Sequence, residues 1–274
     1  MRRILITGAT GLLGSHLVRL LEGEAELHAW RGDLSRGLES ASLPNRLDAV
    51  VHLAQSRRFR EFPEAAGEVV RVNTLAAFEL AQHALSAGAT HFIYASSGGV
   101  YAPRAEPLAE DAPIADAASM TFYAATKLAA ERLLAPFATR LNLVILRPFF
   151  IYGPGQDRSM LIPKLINAVN FGDLVRLAGA EGLRLNPVHA KDAAAAARAA
   201  LELDGSYTIN VAGPEVLTLR EIVEEIARHL GREPQFDVDH DERPADLVGD
   251  TRRMVQLLHA PCERIRDRIG ELVE

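Results

Sequence analysis

Ile4, Leu5 and Ile6 form a short apolar run that ends in Thr7-Gly8, and the residues after it change period. Apolar side chains then recur at 12, 13, 17, 18, 20 and 21, with Ser15, His16 and Arg19 between them. The first pattern predicts a buried strand and the second an amphipathic helix, ended by Gly23. The alternation repeats downstream. Strands are predicted over 27–30, 47–54, 92–95 and 143–150; helices are predicted from Glu64 to the stop at Ala87-Gly88 and over 122–138. Between Leu34 and Leu47 no strand pattern emerges, so that part of the sheet is expected to be abbreviated. Strands and helices alternating at these lengths predict an α/β, doubly wound parallel sheet.

After Gly153-Pro154-Gly155 the pattern changes. A helix is predicted near 160–170, a short strand over 174–177, an extended stretch over 183–189, an alanine-rich helix over 192–203 and a strand over 207–211. An amphipathic helix follows over 219–230 (Ile222, Val223, Ile226, Leu230), with Thr218 as its N-cap, and the tail from Arg252 reads as helical. Residues 1–155, with about 186–212, are expected to form a Rossmann-like nucleotide-binding domain. Residues of about 156–185 and 213–274 are expected to form a smaller C-terminal substrate-binding lobe over the carboxyl edge of the sheet.

The turn after the first strand carries Gly8, Gly11 and Gly14, with Thr10, Leu12 and Leu13 between and beside them. A buried strand that runs through a glycine-rich turn into a helix N-terminus is an anion site, because free N–H groups and the helix dipole both favour a phosphate. Gly8 suits the tight turn, Gly11 the approach of a pyrophosphate, and Gly14 the close packing of helix on strand. The context of strand before and helix after identifies a dinucleotide site. At the end of the second strand an acidic residue would hold a ribose 2′-OH and an arginine a 2′-phosphate. Arg31 and Asp33 both stand there, and the position of Arg31 leans towards NADP over NAD.

Composition narrows the partners. The 274 residues are 48% hydrophobic and 24% charged, as in ordinary soluble domains, and a net charge of −6 argues against a nucleic-acid surface. A single cysteine, Cys262, excludes an internal disulfide framework and reads as a lone thiol. The nine histidines show no metal spacing, so no metal is expected, and His52 and His189 read as structural. The longest apolar helical tract, 193–203, is broken by Arg198 and Glu202 and is too short for a bilayer. The first strand starts so early that no signal peptide is expected, which points to a soluble, cytoplasmic protein.

Tyr123 and Lys127 fall one helical turn apart, on one face of a predicted helix. A free tyrosine ionises near about pH 10, so a phenolate near neutrality needs roughly 4 kcal/mol of preferential stabilisation. A neighbouring ammonium and a nicotinamide cation both favour the phenolate, which can then exchange a proton with a hydroxyl or carbonyl oxygen. Ser97, at the carboxyl end of a predicted strand, can orient the same oxygen.

In order along the chain stand the glycine run, His52-Leu53-Ala54, Ser96 to Tyr101, Tyr123 with Lys127, Arg147-Pro148-Phe149, Ile151 to Gln156, Val188-His189 with Asp192, and Tyr207-Thr208-Ile209-Asn210-Val211. Together they resemble the extended short-chain dehydrogenase/reductase family, in its NAD-dependent epimerase/dehydratase branch, over essentially the whole chain. The resemblance implies a catalytic triad of Ser97, Tyr123 and Lys127, with Tyr123 as acid and base, Ser97 holding the reacting oxygen, and Lys127 on the nicotinamide ribose. It implies further cofactor contacts at Leu34, Leu53, Ala54, Gln55, Arg57, Asn73, Pro148 and Phe150, and substrate contacts at Gly98, Gly99, Phe149 and Arg243. Arg58 and Arg60 read as a solvated turn.

The departures shape the expected reaction. Dehydratases of this branch carry an acidic pair where Gly98 and Gly99 stand, epimerases often an asparagine at Phe150 and an arginine near Leu185, from which Arg184 is one place off. Arg243 matches the family's late diphosphate-binding arginine. The expected function is an NAD(P)-dependent sugar-nucleotide epimerase that moves a hydride at a sugar hydroxyl or ketone. The alternatives are an NADPH-dependent ketoreductase of a sugar or other small carbonyl compound, and a non-catalytic NAD(P)-binding sensor. The helices within 64–88 and 122–138 resemble those that pair in the family's homodimers.

Overall fold

In a computed structural model, residues 1–38 and 42–273 are described. The first half runs β1 (Arg2–Thr7), α1 (Leu12–Leu21), β2 (Ala25–Trp30), β3 (Ala49–His52), α2 (Ala66–Val70), α3 (Ala76–Ser86), β4 (His91–Ala95), α4 (Phe122–Leu134) and β5 (Asn142–Pro148). It continues with α5 (Leu161–Phe171), β6 (Leu174–Ala178), β7 (Arg184–Leu185), α6 (Ala190–Ala200), β8 (Tyr207–Val211), β9 (Leu217–Thr218), α7 (Leu219–Leu230) and β10 (Gln235–Asp239). Three short helices close the chain: α8 (Arg252–Leu257), α9 (Ile265–Arg268) and α10 (Gly270–Val273).

Successive side chains of a strand point to opposite faces, so a strand apolar at every position must be covered on both sides. Ile4, Ile6, Ala49, Val51, Ile93, Val144 and Leu146 point to one layer, where α1 and α6 pack. Leu5, Val50, Phe92, Tyr94, Leu143 and Ile145 point to the other, against α3 and α4. The resulting sheet has six parallel strands in the order β2-β1-β3-β4-β5-β8, the doubly wound Rossmann-like arrangement that the alternation predicts. The chain leaves β1 for β2 on one side and later returns to β3 on the other. Ligands bind beyond the carboxyl ends of strands at such a switch point.

A separate apolar cluster gathers Ile162, Leu165 and Val169 of α5, Leu177, Leu185, and Ile222, Val223 and Ile226 of α7. Two small sheets border it, β10 with β6 in parallel and β7 with β9 antiparallel. Among the described residues no helix is long and apolar enough to cross a membrane.

Several elements differ from their sequence pattern for local reasons. The helix expected from Glu64 begins at Ala66 and is interrupted by a π-helical turn over Arg71–Leu75. The helix expected to reach 138 changes to a tighter 3-10 turn at Ala135–Thr139, where Pro136 cannot donate to the ladder. The strand expected to reach 150 stops at Pro148, and Phe150 takes a positive φ of 46°. Of the stretch 183–189 only Arg184–Leu185 forms a strand, and α6 starts earlier than expected because His189 Nδ1 accepts from the Lys191 N–H as its cap. β10 carries only two apolar residues, Phe236 and Val238, too few to register as periodicity. Three short helices replace the single helical tail. In the stretch expected to lack a strand, a 3-10 turn forms at Leu34–Arg36 and no strand is found among the described residues, with residues 39–41 outside the described part.

Thr218 caps α7 as its position predicts, and its hydroxyl accepts from the Glu221 N–H while the Glu221 carboxylate accepts from the Thr218 N–H. Removing one half of such a reciprocal cap costs about 0.5–2 kcal/mol. Thr218→Ala should therefore lower the urea midpoint by that amount of stability with an unchanged denaturant slope.

Candidate active site

The site begins where β1 ends. Gly8 has a φ of 71°, and a Cβ there would lie 2.7 Å from the Ala54 nitrogen, so the turn brings the loops after β1 and β3 into backbone contact. A Cβ on Gly14 would come within 2.1 Å of the Gly8 carbonyl oxygen, so α1 sits directly on this turn. Gly11 caps α1 without a side chain, no acidic residue occupies the first turn, and Thr10 and Gly11 are exposed. The positive end of α1 is thereby open to an anion, and the bare glycine cradle fits a dinucleotide pyrophosphate. Leu12 and Leu13 continue from this turn into the helix.

Tyr123 and Lys127 enter from α4. The Tyr123 hydroxyl donates to Gln55 Oε1 at 3.0 Å, which ties it to the loop after β3. Its ring packs on Phe59 with centroids 4.9 Å apart. Burial pushes the phenol up to about 12, while the neighbouring Ser97 hydroxyl and the Arg60 charge pull the other way. Lys127 is only 1% exposed; its Nζ donates to the Ala95 carbonyl at 2.8 Å and lies 6.0 Å from the centre of the Tyr123 ring. Burial lowers the ammonium to about 7, against an opposing pull from Glu131. Desolvation acts on both groups, and in the protein alone it drives both towards their neutral forms.

Beneath this pair lies a buried network that the sequence reading missed. Glu131, one turn beyond Lys127, accepts from Ser96 Oγ and takes two bonds from Arg147, Nε at 2.9 Å and Nη2 at 2.6 Å. Arg147 Nη1 donates to the Tyr101 hydroxyl at 2.7 Å, and that hydroxyl donates to Asn210 Oδ1. The spacing 123, 127, 131 on a single helix face was the available signal. Ser97 follows Ser96 directly, and its hydroxyl accepts from the Gly99 N–H at 3.1 Å.

Asn73 was expected at the cofactor, but it is fully buried in the π-helical turn. Its Oδ1 accepts from the Ser56 N–H at 2.9 Å and its Nδ2 donates to Thr126 Oγ1 at 3.1 Å. It therefore fastens the loop after β3 to α4. Leu53 and Ala54 are half-buried in that loop, Gln55 and Arg57 are exposed, and no ion pair engages Arg57 among the described residues. Arg58 and Arg60 are exposed on a turn, each with surface partners. Arg58 pairs with Glu61 and Glu68, and Arg60 reaches across to the Ser159 carbonyl at 2.8 Å.

At the end of β2 the two rival side chains are disposed differently. Asp33 accepts from the Ser35 N–H at 2.9 Å and faces Arg36, whereas Arg31 is exposed and has no hydrogen-bond or ion-pair partner among the described residues. Leu34 is buried beside them.

On the substrate side, Gly98 is buried and Gly99 exposed. Phe149 is 1% exposed and stacks on Tyr101, so its side chain supports the floor beneath Gly98 instead of lining a cleft. Pro148 and Phe150 are half-buried on either side of it. Arg184 is held by Asp246 and the Ala105 carbonyl, while Arg243 is exposed and unpaired among the described residues. His52 is structural, with Nδ1 2.6 Å from Thr7 Oγ1 and burial lowering its pKa to about 3.

The buried ammonium carries a pH signature. Unfolded, it holds its proton up to about 10.5; folded, it releases it near 7, so between those values the unfolded chain binds more protons. The contribution of Lys127 to stability therefore rises with pH across that interval and is least favourable below it. The stability of the wild type relative to Lys127→Met should climb by on the order of 1 kcal/mol per pH unit there, read by urea denaturation. A difference independent of pH would mean that the ammonium stays charged in the fold.

Residues 4–212 match the model of the NAD dependent epimerase/dehydratase family. A dTDP-4-dehydro-6-deoxy-D-allose reductase of Streptomyces bikiniensis is 27% identical over 295 residues, covering 93% of this chain and 88% of its own. A UDP-glucose 4-epimerase of Neisseria meningitidis is 25% identical over 303 residues, covering 90% and 88%. The solved structure of MoeE5 in complex with UDP-glucuronic acid and NAD superposes with a TM-score of 0.83 at 28% identity, covering 99% of this chain and 97% of MoeE5. With the family model spanning the glycine cradle, the Ser97–Tyr123–Lys127 site and β8, the chain belongs to the NAD dependent epimerase/dehydratase family.

Proposed function

We propose that this enzyme is an NAD(P)-dependent sugar-nucleotide epimerase in which Tyr123 exchanges a proton with a sugar oxygen. The observation that carries the reading is the bond from the Tyr123 hydroxyl to Gln55, in the loop that Gly8 touches. It sets the acid–base group beside the dinucleotide cradle. A bound nicotinamide dinucleotide supplies a hydride acceptor that is also a donor. Ser97 orients the reacting oxygen, and Tyr123 takes the hydroxyl proton during oxidation and returns a proton to the ketone oxygen during reduction. Lys127, anchored on the Ala95 carbonyl, holds its Nζ next to the phenol ring. The cluster around α5 and α7 forms the substrate lobe, with Arg243 offered to the diphosphate because Arg184 is already engaged. The epimerase and the MoeE5 complex among its relatives support a UDP-sugar class of substrate.

A second reading, a ketoreductase using NADPH, is favoured by one feature. Arg31 is free to meet a 2′-phosphate while Asp33 is committed to its turn. The two readings part on the cofactor. An epimerase returns its hydride and retains NAD⁺ through purification, whereas a reductase consumes added NADPH one for one with a keto-sugar.

Loss of a positioned acid–base group costs about 10²–10⁴ in rate. Tyr123→Phe should lose turnover on that scale while mass spectrometry of the denatured protein still finds the dinucleotide, its mass reporting the 2′-phosphate. Full activity in this variant would sink the mechanism. We also propose a homodimer through α2, the π-helical turn after it, α3 and α4, a face that exposes Val70, Leu75 and Leu133. Light scattering at micromolar concentration should give twice the chain mass, and a monomer mass overturns it.

A further inference from the structure

Away from the crevice, three side chains of zinc-ligand type converge on one point. Asp192, in the first turn of α6, is 2% exposed, and its Oδ2 accepts the backbone N–H groups of Cys262 and Glu263 at 2.9 and 2.8 Å. That leaves Oδ1, which lies 3.1 Å from His259 Nε2 and 3.6 Å from Cys262 Sγ. The three donor atoms all fall within 4.8 Å of one another. A tetrahedral zinc ion with bonds of about 2.0–2.3 Å to oxygen, nitrogen and sulfur separates neighbouring donors by about 3.3–3.6 Å. The two distances from Asp192 Oδ1 bracket that range.

We infer that Asp192, His259 and Cys262 form a binding site for a zinc-class divalent cation. His259 and Cys262 are separated by two residues, Ala260 and Pro261, a chelating spacing within a single loop. The fold adds Asp192 as the third donor. It is distant in the sequence, which is why counting histidines reveals no metal site and Cys262 reads there as a lone thiol. The buried Asp192 carboxylate supplies a negative charge that favours a cation between these groups. Binding displaces the thiol proton to solvent and leaves the thiolate on the metal, with the exposed side at Cys262 open to a water as fourth ligand. Asp192 belongs to a helix packed on the central sheet, and the other two ligands follow α8. The ion therefore clamps the C-terminal segment onto the sheet domain.

Cobalt(II) is the probe of choice, added to the full chain. Cys262 is the single cysteine, so a thiolate-to-cobalt charge-transfer band can arise from no other residue of the chain. The band is expected to saturate at one cobalt per chain, to be displaced by zinc, and to vanish in Cys262→Ala. His259→Gln should weaken binding by about tenfold or more. Both variants remove half-exposed or exposed side chains, and circular dichroism verifies that they stay folded. Absence of the band in the folded wild type overturns the site. So does saturation at half an equivalent, which means a bridge between two chains, or cobalt affinity unchanged in His259→Gln.

Discussion

The catalytic half of the molecule is held in register by one buried carboxylate. Glu131 stands on α4, its two Arg147 bonds reach β5, and its bond from Ser96 reaches the end of β4. Both members of the pair are less than a tenth exposed. Taking two charges out of water is costly, and removing one partner alone leaves an uncompensated charge worth about 3–5 kcal/mol of destabilisation. The arrangement therefore tolerates little rotation or sliding of α4 relative to the strands. Tyr123 and Lys127 ride on that helix, two turns and one turn before Glu131, and Ser97 is the next residue after Ser96. Their mutual geometry is thus inherited from an ion pair that does not itself reach the surface.

The same burial that fixes the geometry sets the electrostatics. Tyr123 is pushed up and Lys127 down, so the side chains alone prefer an uncharged phenol and a weakly held ammonium proton. Glu131 opposes the fall of Lys127, but most of its charge is matched by Arg147. A neutral phenol is suited to giving a proton to a ketone oxygen, and accepting one from a hydroxyl requires added positive charge. For the proposed proton exchange, Tyr123 therefore depends on positive charge brought next to it rather than on being pre-ionised.

What was legible in the sequence follows from how local each signal is. The glycine turn, the continuous apolar runs of the strands and the one-turn spacing of Tyr123 and Lys127 are written in contiguous residues, and the six-stranded sheet and its crevice follow from them. The cap at Thr218 was legible for the same reason. The bonds of Asn73 to Ser56 and Thr126 and the stacking of Phe149 on Tyr101 were not legible, because each depends on how distant segments pack. The links of Glu131 with Arg147, of Arg60 with Ser159 and of Asp192 with the tail were illegible because each joins residues far apart in the chain. β10 was missed because two apolar residues do not make a period.

The floor of the site constrains position 98, one of the two places where dehydratases of the branch carry acids, to glycine. A Cβ on Gly98 would stand 2.7 Å from the Phe149 ring, and one on Gly249 would stand 2.8 Å from the same ring. Phe149 is thus enclosed from two sides by backbone that has no side chain to withdraw. Gly249 is further locked by a reciprocal pair of 2.8 Å bonds with the Asn186 amide. A side chain at position 98 would require the Phe149 ring to shift, and that ring stacks on Tyr101, which is bonded to Arg147. The glycine at position 98 is therefore tied to the packing of the floor.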